Sequence, residues 1–139
     1  MIASRPSRRD PLLFVYGTLR PCMDIPMAQW LRRRAEYAGS AKIAARLYDL
    51  GRYPGLLRAR RSGEWVAGDL FRIAEPRVLK TLDRYEGAGG RGPARFVRRR
   101  CTVIANGERC AAWVYVYCRS VLRRKRIAHG DYRLYRSSP

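Results

Sequence analysis

Apolar residues recur in this chain in two rhythms, at every second position or at every third and fourth. Leu12 to Tyr16 is a short unbroken apolar run that stops at Gly17, the pattern of a strand buried on both faces. Gly17-Thr18-Leu19-Arg20-Pro21 follows as a turn. Met27, Trp30 and Leu31 then fall at helical spacing around Arg32, Arg33 and Arg34, with Gly39 as the expected stop. From Ala41 to Leu50 the rhythm becomes strand-like and ends in Gly51-Arg52-Tyr53-Pro54-Gly55, rich in turn formers. Trp65, Ala67, Asp69, Phe71 and Ile73 alternate with Val66, Gly68, Leu70 and Arg72, which predicts another strand. Pro76 opens a helix carrying Val78, Leu79 and Leu82, and Gly87 closes it. The stretch from Gly87 to Pro93 reads as a flexible loop.

The clearest local signal is Asn106-Gly107, a two-residue turn flanked by Ala94–Ala105 and Glu108–Cys118. It predicts a hairpin with 105 opposite 108, which sets Arg100 opposite Trp113 and Arg98 opposite Tyr115 on one face. Val97, Cys101 and Val103 then lie near Val114, Ala112 and Cys110 on the other face. Cys101 and Cys110 are diagonal in this register, beyond usual disulfide reach, so unpaired thiols are expected. Residues 1–10 read as a flexible basic tail, and 11–139 as a single mixed α and β domain with a curled or closed sheet. A basic tail holding Ile127, Gly130, Asp131 and Tyr132 is expected to end the chain.

Composition changes this picture little. The 139 residues are 47% hydrophobic, enough for a real core in one domain. No apolar run approaches the roughly 20 residues that span a bilayer, so no membrane is expected. Cys22, Cys101, Cys110 and Cys118 have no metal-ligand spacing, and the single His129 completes no common zinc set. No metal is expected. Reduced thiols and the lack of an export pattern point to a cytoplasmic protein. The formal net charge of +19 is the outlier. All the basic residues but Lys42, Lys80 and Lys125 are arginine, spread over nearly every segment. Such a spread fits a bias toward arginine as well as it fits a polyanion partner. A nucleic-acid partner therefore stands on net charge only.

Two places could carry chemistry. Leu79, Leu82 and Glu86 fall at i, i+3 and i+7, so Glu86 rides the apolar stripe of its helix, where lost hydration raises a carboxylate's pKa. A helix-end glutamate can equally reach solvent or pair with one of the arginines. The run Tyr16-Gly17-Thr18-Leu19 leaves a buried strand with backbone N–H groups that could face a bound anion or carbonyl, although a simple tight turn has the same pattern.

Taken in order, Tyr16-Gly17-Thr18-Leu19-Arg20, Leu47-Tyr48-Asp49-Leu50-Gly51-x-Tyr53-Pro54-Gly55-Leu56, Val66-x-Gly68-Asp69-Leu70-Phe71, Leu82-Asp83-x-Tyr85-Glu86-Gly87 and Gly130-Asp131-Tyr132 resemble the γ-glutamylcyclotransferase-like family, nearest its γ-glutamylamine cyclotransferase branch. The resemblance runs from about Leu12 to Tyr135. It implies an α+β fold, a small mixed β-barrel flanked by helices. It also implies a cofactor-independent enzyme that releases 5-oxoproline from a γ-glutamyl amine or amide, an acyltransferase or lyase. Glu86 matches the family's catalytic glutamate, and Tyr16, Gly17, Thr18 and Leu19 its substrate-binding loop. A non-catalytic binding or regulatory protein on the same fold is the alternative reading. Neither the γ-glutamyl substrate nor the oligomeric state can be read from these residues.

Overall fold

The computed structural model describes residues 9–87 and 95–137. Residues 1–8 of the expected tail at 1–10, and residues 88–93 of the expected flexible loop at 87–93, lie outside the described residues. The elements are β1 (Leu12–Val15), α1 (Pro26–Arg34), β2 (Glu36–Asp49), β3 (Pro54–Arg58), β4 (Trp65–Arg72), α2 (Pro76–Tyr85), β5 (Phe96–Ala105), β6 (Glu108–Tyr117), β7 (Lys125–Arg126) and α3 (Tyr132–Ser137). β1 lies between β4, antiparallel to it, and β6, parallel to it. β2 pairs with β4 along 36–44 and touches β5 through Lys42 and Ile104, so the order β2-β4-β1-β6-β5 returns to β2 and closes a mixed barrel. β3 and β7 extend the second half of β2.

Strand alternation divides the apolar residues between two cores. Phe14, Ile43, Leu47, Val66, Leu70, Val103 and Val114 fill the barrel. Leu13, Val15, Phe71, Ile73 and Tyr115 point outward and are covered by Leu31 of α1 and by Val78, Leu79 and Leu82 of α2. Each fully buried aliphatic side chain contributes roughly 1.5–3 kcal/mol, which is what holds α2 down. Gly68 allows the barrel to fill, because a Cβ there would meet the Val15 carbonyl oxygen at 2.3 Å and the Phe14 ring at 2.6 Å.

The hairpin has the expected register, with Arg98 opposite Tyr115, Arg100 opposite Trp113 and Ala105 opposite Glu108. None of the four cysteines is in a disulfide. Three expectations are corrected. Gly39 does not stop α1, which ends at Arg34; β2 is already under way at Glu36, and Gly39 (φ 102°) absorbs a bulge within it. The turn-rich stretch at 51–55 runs straight into β3, which pairs residue by residue with Ala45–Asp49. The C-terminal segment is no tail: Ile127 and Tyr132 are buried in the barrel core, and the Gly130 carbonyl accepts a 2.8 Å bond from the Ala67 N–H of β4.

Candidate active site

The end of β1, the end of α2 and the start of β3 meet at one cleft. Its wall consists of Phe14, Val15, Tyr16, Gly17, Thr18, Leu19, Tyr53, Pro54, Glu86 and Tyr115, around about 340 Å³ of empty space that includes the solvent at its mouth. The cleft therefore brings together Tyr16, Gly17, Thr18 and Leu19 with Glu86, 67 or more positions later in the chain.

Glu86 caps the C-terminus of α2, its N–H donating to the Leu82 carbonyl at 2.8 Å, and Gly87 follows in the left-handed region with φ 76°. The helix thus delivers the side chain to the cleft from above the buried Leu79 and Leu82. Burial pushes the Glu86 carboxyl up to about 7. No cation offsets that loss of hydration: among the described residues no arginine or lysine bridges Glu86. In a chain this rich in arginine, an unpaired half-buried carboxylate is the unusual feature of the site.

The loop is built around Gly17. A Cβ at this position would meet Pro54 Cγ at 2.6 Å, so only glycine lets the loop lie against β3. The Gly17 carbonyl accepts from the Arg20 N–H at 3.1 Å, closing a turn. Among the described residues, the N–H groups of Gly17, Thr18 and Leu19 have no acceptor in the protein. The side chains play different parts. Leu19 is 4% exposed and belongs to the outer core, so it can face the cleft only with its backbone. The Tyr16 hydroxyl donates to the Tyr115 carbonyl at 2.6 Å and accepts from the Leu56 N–H at 3.3 Å. It ties β1 to β6 and β3, while the ring lines the cleft. Burial, then the charge of Glu86, pushes that hydroxyl well above its usual range, so it stays protonated.

Sequence reasoning assigned no role to the charges that anchor this loop. Arg20 is 7% exposed, and its Nε donates to Asp69 Oδ2 of β4 while its Nη1 donates to Asp131 Oδ1, both at 2.9 Å. The Tyr37 hydroxyl donates to the other Asp69 oxygen at 2.8 Å. The signal was in the motifs, since Arg20, Asp69 and Asp131 each stand within one of the ordered family motifs. Asp83, one turn before Glu86, is equally occupied: Arg98 donates to both its oxygens at 2.8 and 3.2 Å, and the Tyr115 hydroxyl donates at 2.7 Å. Asp83 holds the floor of the cleft; only Glu86 of the two faces it.

The family whose model matches residues 13–134 is described as gamma-glutamyl cyclotransferase, AIG2-like. Over 129 residues the chain is 35% identical to the gamma-L-glutamyl-butirosin B gamma-glutamyl cyclotransferase of Niallia circulans, across 91% of this chain and 78% of that one. The gamma-glutamylcyclotransferase family protein YtfP of Escherichia coli K12 is 31% identical over 121 residues, 86% of this chain and 94% of its own. An AIG2-like protein from Mus musculus has the same fold, with a TM-score of 0.70 at 22% identity over 88% of each chain. A family match that spans nearly the whole barrel, with relatives aligned along most of their own length, places this chain in the gamma-glutamyl cyclotransferase, AIG2-like family.

Proposed function

We propose that this protein releases 5-oxoproline from a γ-glutamyl amine or amide, with Glu86 as general base and no cofactor. The nucleophile is already part of such a substrate. Its α-amine can attack its own γ-carbonyl carbon and close a five-membered ring, once the chain is held folded. Glu86 accepts a proton from the α-ammonium, the free amine adds to the carbonyl, and a tetrahedral oxyanion forms. The N–H groups of Gly17, Thr18 and Leu19 are the donors available to that oxyanion or to the substrate carboxylate. When the bond to the leaving nitrogen breaks, Glu86 returns its proton there. The second proton of the attacking nitrogen, acidic once that nitrogen is bonded to the carbonyl carbon, passes through the same carboxylate to the released amine. The products are a neutral lactam and an ammonium ion.

One observation carries this reading: a carboxylate pushed up to about 7 by burial, with no cationic partner among the described residues, lines the same cleft as a loop whose N–H groups have no acceptor among them. A general base works best when its pKa lies close to the working pH. The test is a panel of γ-glutamyl compounds scored for 5-oxoproline, run on the wild type and on Glu86→Gln. Turnover that depends on Glu86 is the expected result. Tight binding without release by the wild type would instead make this a binding protein on the same fold.

A further inference from the structure

Tyr16 and Tyr115 both line the cleft of Glu86, and their hydroxyls are used differently. A phenol has one proton to give and lone pairs that accept. The Tyr16 hydroxyl gives its proton to the Tyr115 carbonyl and accepts from the Leu56 N–H. The Tyr115 hydroxyl gives its proton to Asp83 Oδ1 at 2.7 Å, with the Leu79 carbonyl more distant at 3.5 Å. Among the described residues, nothing donates to the Tyr115 oxygen. Arg98 fixes the direction of the Asp83 bond. Its Nε and Nη2 donate to the two Asp83 oxygens, so Asp83 accepts on the Tyr115 side as well. Burial, then the bond to Asp83, pushes Tyr115 well above the usual tyrosine range, so the hydroxyl keeps its proton. Glu86 follows Asp83 by three positions at the end of α2, about one helical turn, and its charge acts on the same hydroxyl. Beside the base there is thus an oxygen with a lone pair and no donor.

We infer that the Tyr115 hydroxyl oxygen is a second acceptor for the substrate's α-amine, and that Asp83 is the positioning residue that keeps it an acceptor. This rests on the cyclotransferase reading and adds the group that aims the nucleophile. An amine freed of its third proton has two N–H bonds and one lone pair. With one N–H on Tyr115 and the other toward Glu86, the lone pair is left for the γ-carbonyl carbon. A hydroxyl that donated instead would occupy that lone pair and oppose attack. Once Glu86 has taken the second proton, the N–H that stays on the lactam is the one held by Tyr115.

The probe is 5-oxoproline itself, because every γ-glutamyl substrate yields it whatever amine departs. Calorimetry compares it with 3-oxocyclopentanecarboxylate, the same ring with a methylene in place of N–H. The wild type should bind 5-oxoproline roughly fivefold or more tightly than the ketone, the scale of one hydrogen bond. In Tyr115→Phe that ratio should fall toward one. Asp83→Asn, which lets the hydroxyl turn, should lower it in the same direction by less. Tyr135→Phe should keep it, although Tyr135 also donates to an aspartate, Asp49, at 2.7 Å outside the cleft. Turnover of the best substrate in a γ-glutamyl panel should fall about tenfold or more in Tyr115→Phe, and less in Asp83→Asn. An unchanged ratio in Tyr115→Phe overturns the inference. So does equal binding of the two rings by the wild type, a result that needs no variant to fold. If 5-oxoproline is released and Tyr115→Phe releases it as fast as the wild type, Tyr115 alone loses its role. If no γ-glutamyl compound is turned over, the cyclotransferase reading fails, and the ring comparison still decides whether Tyr115 accepts an N–H in this cleft.

Discussion

In its proposed role as general base, Glu86 sits where catalysis and stability pull in opposite directions. Its ordinary pKa is 4.5 and in the fold it is about 7, so the folded state binds this proton more tightly than the unfolded chain. The stability it contributes is complete below pH 4.5 and is lost as pH rises through 7. The full difference corresponds to about 3 kcal/mol. Glu86→Gln should therefore unfold at a higher temperature than the wild type at pH 8, with the gain vanishing near pH 5, as a calorimetric pH series would show. The same variant should lose turnover by about 10²-fold or more, the scale for a missing general base. In the wild type, kcat/KM should rise with pH through about 7, because only the ionised carboxylate accepts the ammonium proton. A rate flat from pH 5 to 8 would remove Glu86 from this role. Gly17 gives a second test at this scale. Gly17→Ala forces the loop off Pro54, at a cost of about 1–3 kcal/mol for overpacking, and should raise KM as well as lower Tm.

At the scale of elements, the hairpin and α2 are joined by one charged bridge. Arg98 of β5 holds Asp83 of α2 with two bonds, and Asp83 also receives the Tyr115 hydroxyl of β6. Asp83→Asn keeps the shape but weakens charge-assisted bonds, so denaturant titration should show a loss of about 1–3 kcal/mol. Its effect on turnover should stay well below that of Glu86→Gln. Two cations lie over Trp113, and the nearer is not the one directly opposite it. Arg100 is directly opposite, but its guanidinium is 5.9 Å from the ring centroid, whereas that of Arg98 is at 4.4 Å. Asp83 draws the Arg98 side chain along the face until it covers the indole. A double-mutant cycle should give about 0.5–1 kcal/mol for Arg98 with Trp113 and less for Arg100.

Over the whole molecule, the chain's last described residues close what its first ones open. Arg20 at the end of the cleft loop is held between Asp69 and Asp131, and Gly130 lies so close to β4 that a Cβ there would meet the Trp65 carbonyl oxygen at 1.9 Å. A chain ending at Arg126 should lose both cooperative unfolding and activity, because it removes buried Ile127 and Tyr132 and leaves Arg20 with one partner fewer. A milder probe is Gly130→Ala, which adds a clash to a residue at φ 70° and should lower Tm sharply. Titration under denaturing, non-reducing conditions should count four thiols.

Local chemistry was enough for the elements whose partners are near in sequence. Asn106-Gly107 fixed a hairpin register because a two-residue turn leaves only one way to pair its strands, and helical phase put Glu86 over Leu79 and Leu82 because 3.6 residues per turn is a property of the backbone. Ordered motifs were enough for the family. Tertiary structure alone decided the rest. β3 was hidden because a glycine- and proline-rich stretch reads as a turn until β2 offers it a partner. The C-terminal segment read as a tail because its apolar residues are few and scattered, and only the barrel shows that each enters a prepared space. The Arg20–Asp69–Asp131 anchor joins residues 49 and 111 positions apart, so no local rule could pair them. In a chain with 30 basic residues, whether Glu86 meets a cation among the described residues depends on where the barrel closes.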